Sequence, residues 1–206
     1  MAGLMVLAGI MALGMVGCSD PASETPDAVV GDAKGGGEGS SAAPEGGKTY
    51  TLTEESVLQF VGSKVTGSHE GGFKSVTGSV IVKDGEVHGN GPIVIDMDSI
   101  WSDNEKLTGH LKNKDFFEVE TYPTSKFTIT SVTKSGDLHE VTGDLEMHGV
   151  TKSITFPANI TVSDDSLSVD ANFDINRQLW NINYTGMADD LIRDNVVLKM
   201  SIKAKP

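Results

Sequence analysis

The chain has 206 residues, which is enough for one domain with flanking segments. Its 29 acidic and 16 basic residues give a formal charge of −13, which argues against nucleic acids and anionic lipid head groups as partners. With a single cysteine, the chain cannot form an intramolecular disulfide framework.

The N-terminal segment predicts export and lipidation. Residues 1–17 are almost wholly small and apolar, too short a run for a comfortable membrane span and typical of a signal peptide. Met15-Val16-Gly17-Cys18 resembles a bacterial lipobox, in which cleavage leaves a lipidated cysteine at the new N-terminus, although Leu is usual where Met15 stands. Ser19 after the cysteine implies the outer membrane by enterobacterial sorting rules. We therefore expect a periplasm-facing lipoprotein of the cell envelope; an uncleaved anchor with a free thiol is the alternative.

Residues 18–47 are predicted to be a disordered linker behind the lipidated cysteine. The stretch is rich in Gly, Ser, Pro and acidic residues and has almost no bulky apolar side chains. Such a composition cannot bury enough apolar surface to offset the entropy of ordering. As a flexible coil it would span roughly 30 Å and lift the following domain off a membrane.

Residues 48–206 are predicted to form one all-β domain. Apolar and polar residues alternate with a period of two in several runs, and turn-forming residues such as Lys83-Asp84-Gly85 separate them. We count about eight antiparallel strands, which must form a sandwich or close into a barrel because one face of each is apolar. The interior of an eight-stranded barrel is just large enough for side chains or one small ligand.

One helix interrupts this pattern, at about residues 102–112. Ser102 and Glu105 have the spacing of a capping box, and Leu107 and Leu111 fall on one helical face. So short a helix must pack against something apolar. It is expected to cap one end of the barrel, either as a static plug or as a movable lid.

No catalytic or metal-binding motif is present in the sequence. It contains no phosphate loop, no G-x-S-x-G and no zinc motif, and its five histidines have no metal-ligand spacing. We therefore predict a protein that is not an enzyme and that needs no metal or cofactor. Arg177 follows a strand and is either an anchor for a polar ligand head or a member of a rim ion pair.

Several blocks of the sequence resemble the YceI-like, polyisoprenoid-binding family. The segment His110-Leu111-Lys112-Asn113-Lys114-Asp115-Phe116-Phe117, followed by Tyr122-Pro123 and Phe127, is similar to its H-L-K-S-x-D-F-F…Y-P…F block. Residues 143–152 and 173–177 are similar to its G-D-L-x-x-H-G-V-T-K and F-x-I-x-R blocks. The chain departs from the family at Thr108-Gly109, where many relatives have an Arg-Asp pair.

The resemblance implies a lipocalin-like barrel with an elongated cavity for a long-chain isoprenoid or similar apolar lipid. The chain would then be a membrane-tethered, non-catalytic carrier; a solid-core structural or protein-interaction module is the alternative, and a homodimer remains an open option. Together with the alternation, it predicts a cavity lined by Ile95, Leu107, Leu111, Phe116, Phe117, Phe127, Leu145, Met147, Phe156, Phe173, Ile175, Trp180 and Ile182.

Overall fold

The computed structural model describes residues 20–33 and 44–206, which are dominated by antiparallel β-strands. The predicted signal peptide and Cys18 lie outside these residues. The strands are β1 Val29–Asp32, β2 Lys48–Leu52, β3 Val57–Lys64, β4 Gly67–Phe73, β5 Val76–Thr77, β6 Ser79–Lys83, β7 Glu86–Gly89, β8 Ile93–Asp96, β9 Ile100–Ser102, β10 Thr124–Ser135, β11 Leu138–Met147, β12 Val150–Val162, β13 Leu167–Asn176, β14 Gly186–Met187, β15 Asp190–Leu191 and β16 Asn195–Lys205. The helix α1 is Glu105–Lys112, and short 3-10 turns are formed by Pro21–Glu24, Met97–Ser99 and Arg177–Trp180.

The main sheet curls into a barrel, which confirms the predicted antiparallel, lipocalin-like fold. Its hydrogen-bonded order is β5-β8-β10-β11-β12-β13-β16-β2-β6-β7, and β3, β4 and β9 continue the sheet from β16. The sheet closes on itself where Gly89 of β7, the last strand of this path, lies against β10, the third. A Cβ at Gly89 would come within 2.7 Å of the Ile129 carbonyl oxygen, so only glycine allows this approach.

The period-two alternation turns the aromatic side chains inward. Phe156 on β12 and Phe173 on β13 stack with ring centroids 4.2 Å apart, and Phe127 on β10 lies 5.8 Å from Phe156. A side chain at Gly143 would overlap with the Phe127 ring, so this glycine in β11 makes room for it. These three rings therefore form one aromatic layer inside the barrel.

The predicted disordered linker is wrong for residues 20–33, which are part of the domain. Strand β1 pairs antiparallel with β12, and Ala28 N–H donates to the Asp174 carbonyl at 2.9 Å. The ladder between β12 and β13 covers only residues 159–162 and 167–170, so the N-terminal segment fills the seam that these strands leave open. Ala28 is buried in the core and Val30 packs against it, which offsets the ordering entropy of this short segment.

The predicted capping box between Ser102 and Glu105 is also wrong. The N-cap is Asn104, whose side-chain oxygen accepts from Leu107 N–H at 3.1 Å. Ser102 belongs to β9, where it pairs with Gly71, so its backbone is already extended before the helix begins. Its hydroxyl donates to the Asn104 carbonyl at 2.7 Å and thereby supports the cap from outside the helix.

Among residues 20–33 and 44–206, no helix has the length and hydropathy needed to cross a bilayer.

Candidate functional site

The barrel encloses an apolar cavity at the end covered by α1, which we call the lid end. This upper compartment has a volume of about 280 Å³. Helix α1 contributes Leu107 and Leu111 to its wall, and the loop after α1 contributes Phe116 and Phe117. The strands, the 3-10 turn Met97–Ser99 and the segment after the last 3-10 turn supply the remaining apolar wall: Leu58, Phe60, Phe73, Ile95, Met97, Leu145, Met147, Ile175, Ile182, Ile192, Val196 and Leu198.

A lower compartment of about 110 Å³ continues the cavity toward the other end of the barrel. Its lining is wholly apolar and includes the aromatic layer of Phe127, Phe156 and Phe173. Four side chains line both compartments, so the two adjoin along the barrel axis: Leu58, Ile95, Leu145 and Leu198. The interior therefore holds two adjoining apolar compartments.

The structure places all the predicted cavity residues except Trp180 in the lining of one compartment or the other. In the upper compartment they are Leu107, Leu111, Phe116, Phe117, Met147, Ile175 and Ile182. Phe127, Phe156 and Phe173 line the lower one, while Ile95 and Leu145 line both. Whether these residues bind a lipid stays a prediction.

Trp180 is wall filler and lines neither described compartment. Its side chain is fully buried, and its indole Nε1–H donates to the Leu145 carbonyl at 3.0 Å. Its own carbonyl accepts from His148 Nδ1 at 3.1 Å. The hydrogen bond of the indole to β11 holds the turn at residues 177–180 against that strand. The Trp180 side chain therefore lies within the barrel wall and does not face the cavity.

Arg177 lines the upper compartment, but its guanidinium is already engaged by the protein. It is buried and donates to the carbonyls of Ile182, Ile192 and Arg193, the last at 3.1 Å from Nε. Burial lowers the pKa of the guanidinium, and the charge of Asp194, 3.7 Å from Nη2, opposes that shift. Arg177 therefore ties three backbone segments together and contributes a polar edge to the cavity.

Two other basic side chains that line the upper compartment, Lys64 and His69, each lie against a carboxylate of the protein. Lys64 forms an ion pair with Asp190, and its hydrogen bond lowers the pKa of that carboxyl. His69 Nδ1 lies 2.8 Å from Asp103 Oδ1. Burial opposes ionisation of Asp103, but hydrogen bonds from His69 and from the backbone outweigh it and lower the pKa. Each charge at this end of the cavity is therefore neutralised locally.

Helix α1 is held over the cavity by contacts at its middle and at its C-terminal end. Lys112 Nζ donates to the Asp98 carbonyl at 2.6 Å, and Ser102 N–H donates to the Thr108 hydroxyl at 2.9 Å. His110 lies edge-on to the Tyr184 ring at 4.7 Å between centroids. Its Nε2 lies 2.9 Å from Asp115 Oδ2, and this hydrogen bond lowers the pKa of Asp115.

Sequence reasoning missed the contribution of β3 to the cavity. Leu58 and Phe60 alternate with polar Gln59, but the neighbouring Val61 is also buried and hides the pattern. A stronger signal is the pair Gly71-Gly72 on β4. A Cβ at Gly71 would overlap with the Phe60 ring, so the glycine indicates a large side chain opposite it.

No group of His, Cys, Asp and Glu side chains within residues 20–33 and 44–206 is arranged to hold a metal ion. Two buried carboxylates, Asp144 on β11 and Asp174 on β13, do not form an acid pair, because β12 lies between their strands.

The YceI-like domain model matches residues 50–204. A UPF0312 protein of Pseudomonas putida is 49% identical over 61 residues, or 29% of this chain and 32% of that protein. Protein YceI of Escherichia coli is 38% identical over 68 residues, 33% of this chain and 36% of that protein. These matches span about a third of each relative's length.

Solved structures share the architecture. The crystal structure of Burkholderia cenocepacia BcnA has a TM-score of 0.65 at 22% identity and covers 73% of this chain and 97% of its own. The Campylobacter jejuni YceI protein has a TM-score of 0.54 at 22% identity and covers 66% of this chain and 84% of its own. At this identity the similarity shows the fold, and the family model extends over nearly the whole barrel. The chain therefore belongs to the family of YceI-like domains.

Proposed function

We propose that this protein holds a long-chain isoprenoid or a similar apolar lipid in its barrel, without catalysing a reaction. The YceI-like fold is a binding-protein fold, and the observation that carries the proposal is the two-compartment apolar cavity. A barrel serving only as a structural module would fill that space with its own side chains. The two adjoining compartments therefore favour a carrier over the solid-core alternative.

The size of the cavity bounds what it encloses. At about 30 Å³ for a group the size of a water molecule or a methylene, the two compartments hold about a dozen such groups. Burial at about 0.8 kcal/mol per CH₂ gives a gross gain of about 10 kcal/mol, from which ordering and desolvation costs must be subtracted. A longer chain extends beyond the two compartments.

The polar edge of the cavity favours an uncharged ligand. Lys64, His69, His110 and Arg177 each face a carboxylate of the protein. A fatty-acid carboxylate would have to displace one of these partners and leave an uncompensated negative charge near the cavity. An isoprenoid alcohol would need only a hydrogen bond.

We further propose that lipidated Cys18 tethers the barrel to the outer membrane, facing the periplasm. The support is the apolar run before the cysteine and its likeness to a lipobox. The ordered segment from Asp20 onward shortens the expected tether, because Asp20 already pairs with Arg193 at 3.1 Å. The barrel is then held within a few residues of the anchor.

Urea unfolding with and without farnesol tests the proposal. Farnesol should stabilise the wild type by RT ln(1 + [L]/Kd), and Met147→Ala should lose much of that ligand-dependent part because Met147 lines the upper compartment. Phe173→Ala should cost about 3–5 kcal/mol already without ligand, since its ring stacks on Phe156 as well as lining the lower compartment. Met187→Ala is the matched control, because Met187 is exposed. If farnesol and longer isoprenoids leave the free energy of unfolding of the wild type unchanged, the proposed carrier function is wrong.

A further inference from the structure

A third space continues the cavity at the end of the barrel away from the lid. It has a volume of about 630 Å³ and is bordered by the β6–β7 hairpin, the β10–β11 hairpin and the turn after β12. We call it the vestibule. Val87, Val132 and Ile160 line both the vestibule and the lower compartment, so the two spaces adjoin. Residues on its outer side, such as Asp84 and Asp164, are exposed, so the vestibule opens to solvent.

Strand β11 shows that the three spaces follow one another along the barrel. His139 lines the vestibule, Val141 the lower compartment, Leu145 both compartments and Met147 the upper one. All four lie on one face of the strand, because they are separated by even numbers of residues. At about 3.3 Å per residue, the strand covers about 26 Å between His139 and Met147. An apolar chain can therefore extend from the vestibule to the lid end.

Basic residues occupy the inward-facing positions where three strands pass from the lower compartment into the vestibule. These residues are Lys48 on β2, Lys134 on β10 and His139 on β11. Lys134 and His139 are register partners, so their side chains stand side by side on the inward face. Within residues 20–33 and 44–206, neither lysine has an ion-pair partner. This differs from the lid end, where each basic side chain lies against a carboxylate.

His139 carries a buried nitrogen that lacks a partner. Its Nδ1 is shielded from solvent, and no hydrogen-bonding group of the described part of the chain lies within reach of it. A buried polar atom without a hydrogen bond costs free energy, so a ligand that supplies the missing group gains affinity there. Because the residue lines the vestibule, a turn of the ring about χ2 gives Nδ1 access to such a ligand.

We propose that the vestibule binds the hydroxyl head group of an isoprenoid alcohol, whose chain extends through the lower compartment toward the lid end. A hydroxyl both donates and accepts, so it can donate to His139 Nδ1 and accept from the neighbouring Lys134 Nζ. The inference rests on the proposed carrier function and deepens it, because it states where the head group lies and which residues recognise it.

The charges around the vestibule favour an uncharged head group over a phosphate. Three acidic residues border it beside the three basic ones, so it carries no net positive charge: Asp84, Glu86 and Asp164. The whole chain has a formal charge of −13. A phosphate would therefore meet nearby carboxylates and a repelling field, whereas a hydroxyl needs only hydrogen bonds.

Binding of geranylgeraniol, a longer isoprenoid alcohol than farnesol, and of its methyl ether separates the head group from the chain. The ether keeps the chain but has no O–H to donate. The wild type should bind the alcohol several-fold more tightly than the ether, and His139→Leu should bind both with the affinity that the wild type has for the ether. His88→Leu is the matched control and should keep the preference, because His88 lies on the opposite face of β7 from Val87.

An NMR measurement locates the head group independently of any variant. Geranylgeraniol is isotopically labelled at its hydroxyl-bearing carbon, whose protons should show NOEs to the methyl groups of Val132 and Val162 and none to those of Leu107. NOEs to Leu107 alone would overturn the proposal, and so would an undiminished preference for the alcohol in His139→Leu.

Two further outcomes separate this inference from the carrier function. Tighter binding of geranylgeranyl phosphate than of the alcohol, lost in Lys134→Met, would make the vestibule a phosphate site and overturn the uncharged head group. If the wild type binds neither the alcohol nor the ether, the carrier function is wrong and this inference falls with it. If both bind equally well, the carrier function stands and the hydroxyl site in the vestibule is refuted.

Discussion

The carboxyl groups of Asp27 and Asp174 meet at the seam where the N-terminal segment joins β13. The two residues form a parallel β-bridge, and Asp174 N–H donates to the Pro26 carbonyl at 3.1 Å. Burial raises the pKa of Asp174 to about 6, with a further contribution from the hydrogen bond and negative charge of Asp27. Below about pH 6 a proton on Asp174 therefore removes the repulsion from Asp27 and helps to hold the seam closed.

This pair predicts that stability falls as the pH rises from about 4 to 6. The folded state holds a proton on Asp174 that the unfolded chain releases near its ordinary pKa of about 3.9. Its contribution is fully present below that value and is lost as the pH rises through about 6. The loss should be about 1–3 kcal/mol in urea unfolding.

Asp174→Asn should flatten this part of the pH profile. An amide can still accept from Asn195 Nδ2, which lies 2.7 Å from the carboxylate oxygen, and can donate to Asp27. Asp170→Asn is the control on the same strand, because Asp170 lies in a largely exposed pair with Lys203. If Asp174→Asn keeps the wild-type slope between pH 4 and 6, Asp174 does not hold the proton.

The cap of the lid helix predicts a second measurable effect. Asn104→Ala should destabilise α1 by about 0.5–2 kcal/mol, because the Leu107 N–H loses its acceptor. Glu105→Gln is the control, since it keeps the helical position and leaves the cap intact. Amide exchange of Leu107 and Leu111 should accelerate in Asn104→Ala and remain near wild type in the control. Unchanged exchange in Asn104→Ala would show that tertiary contacts alone hold the helix.

Gly109 predicts that helix α1 is less stable than the same helix with Ala at this position would be. No heavy atom lies within 4 Å of a Cβ built at this position, so Gly109→Ala is free of steric cost. The substitution should stabilise the helix by up to about 1 kcal/mol. If the lid must unfold for release, farnesol should dissociate up to about fivefold more slowly.

The matched control for the lid is Gly67→Ala on β4, where added bulk also meets open space. It should leave farnesol dissociation unchanged. Slower amide exchange in α1 of Gly109→Ala with an unchanged dissociation rate would make the helix a static plug.

The period-two alternation predicts which strand side chains point inward. To that extent the strands and the cavity lining follow from the sequence. Alternation predicts inward side chains at Phe156 and Phe173, and the structure buries both. It makes no such prediction for Trp180, because a short turn has no period that separates cavity wall from packing filler. The cap was misplaced because Ser102, Asp103 and Asn104 are all good N-cap residues, and only the pairing of β9 with β4 decides between them.

Strand β1 was missed for a different reason. Its sequence is four residues long, contains Gly31 and lies within a stretch of polar composition. What stabilises it is the open seam between β12 and β13, a feature of tertiary structure that leaves no mark on the local sequence. Composition predicts disorder for this stretch, and long-range pairing with β12 overrides that prediction for residues 20–33.

The anchor predicts where the protein is found in the cell. Cys18→Ser should move the protein from the membrane fraction to the soluble periplasmic fraction, because the thiol that would carry the lipid is gone. Ser19→Ala is the matched control and should remain in the membrane fraction. Wild-type protein that keeps residues 1–17 and an unmodified thiol by mass spectrometry would contradict this prediction.

The central claim, that the cavity holds an apolar lipid, is tested most directly by identifying what the protein carries. Protein purified from bacterial membranes is extracted with organic solvent, and the extract is analysed by mass spectrometry beside that of Met147→Trp, whose larger side chain fills the upper compartment. The account predicts a stoichiometric isoprenoid or similar uncharged lipid in the wild type, and its depletion in Met147→Trp at equal fold and yield. Extracts that match the bulk membrane lipids in both proteins would show that the cavity carries no specific cargo.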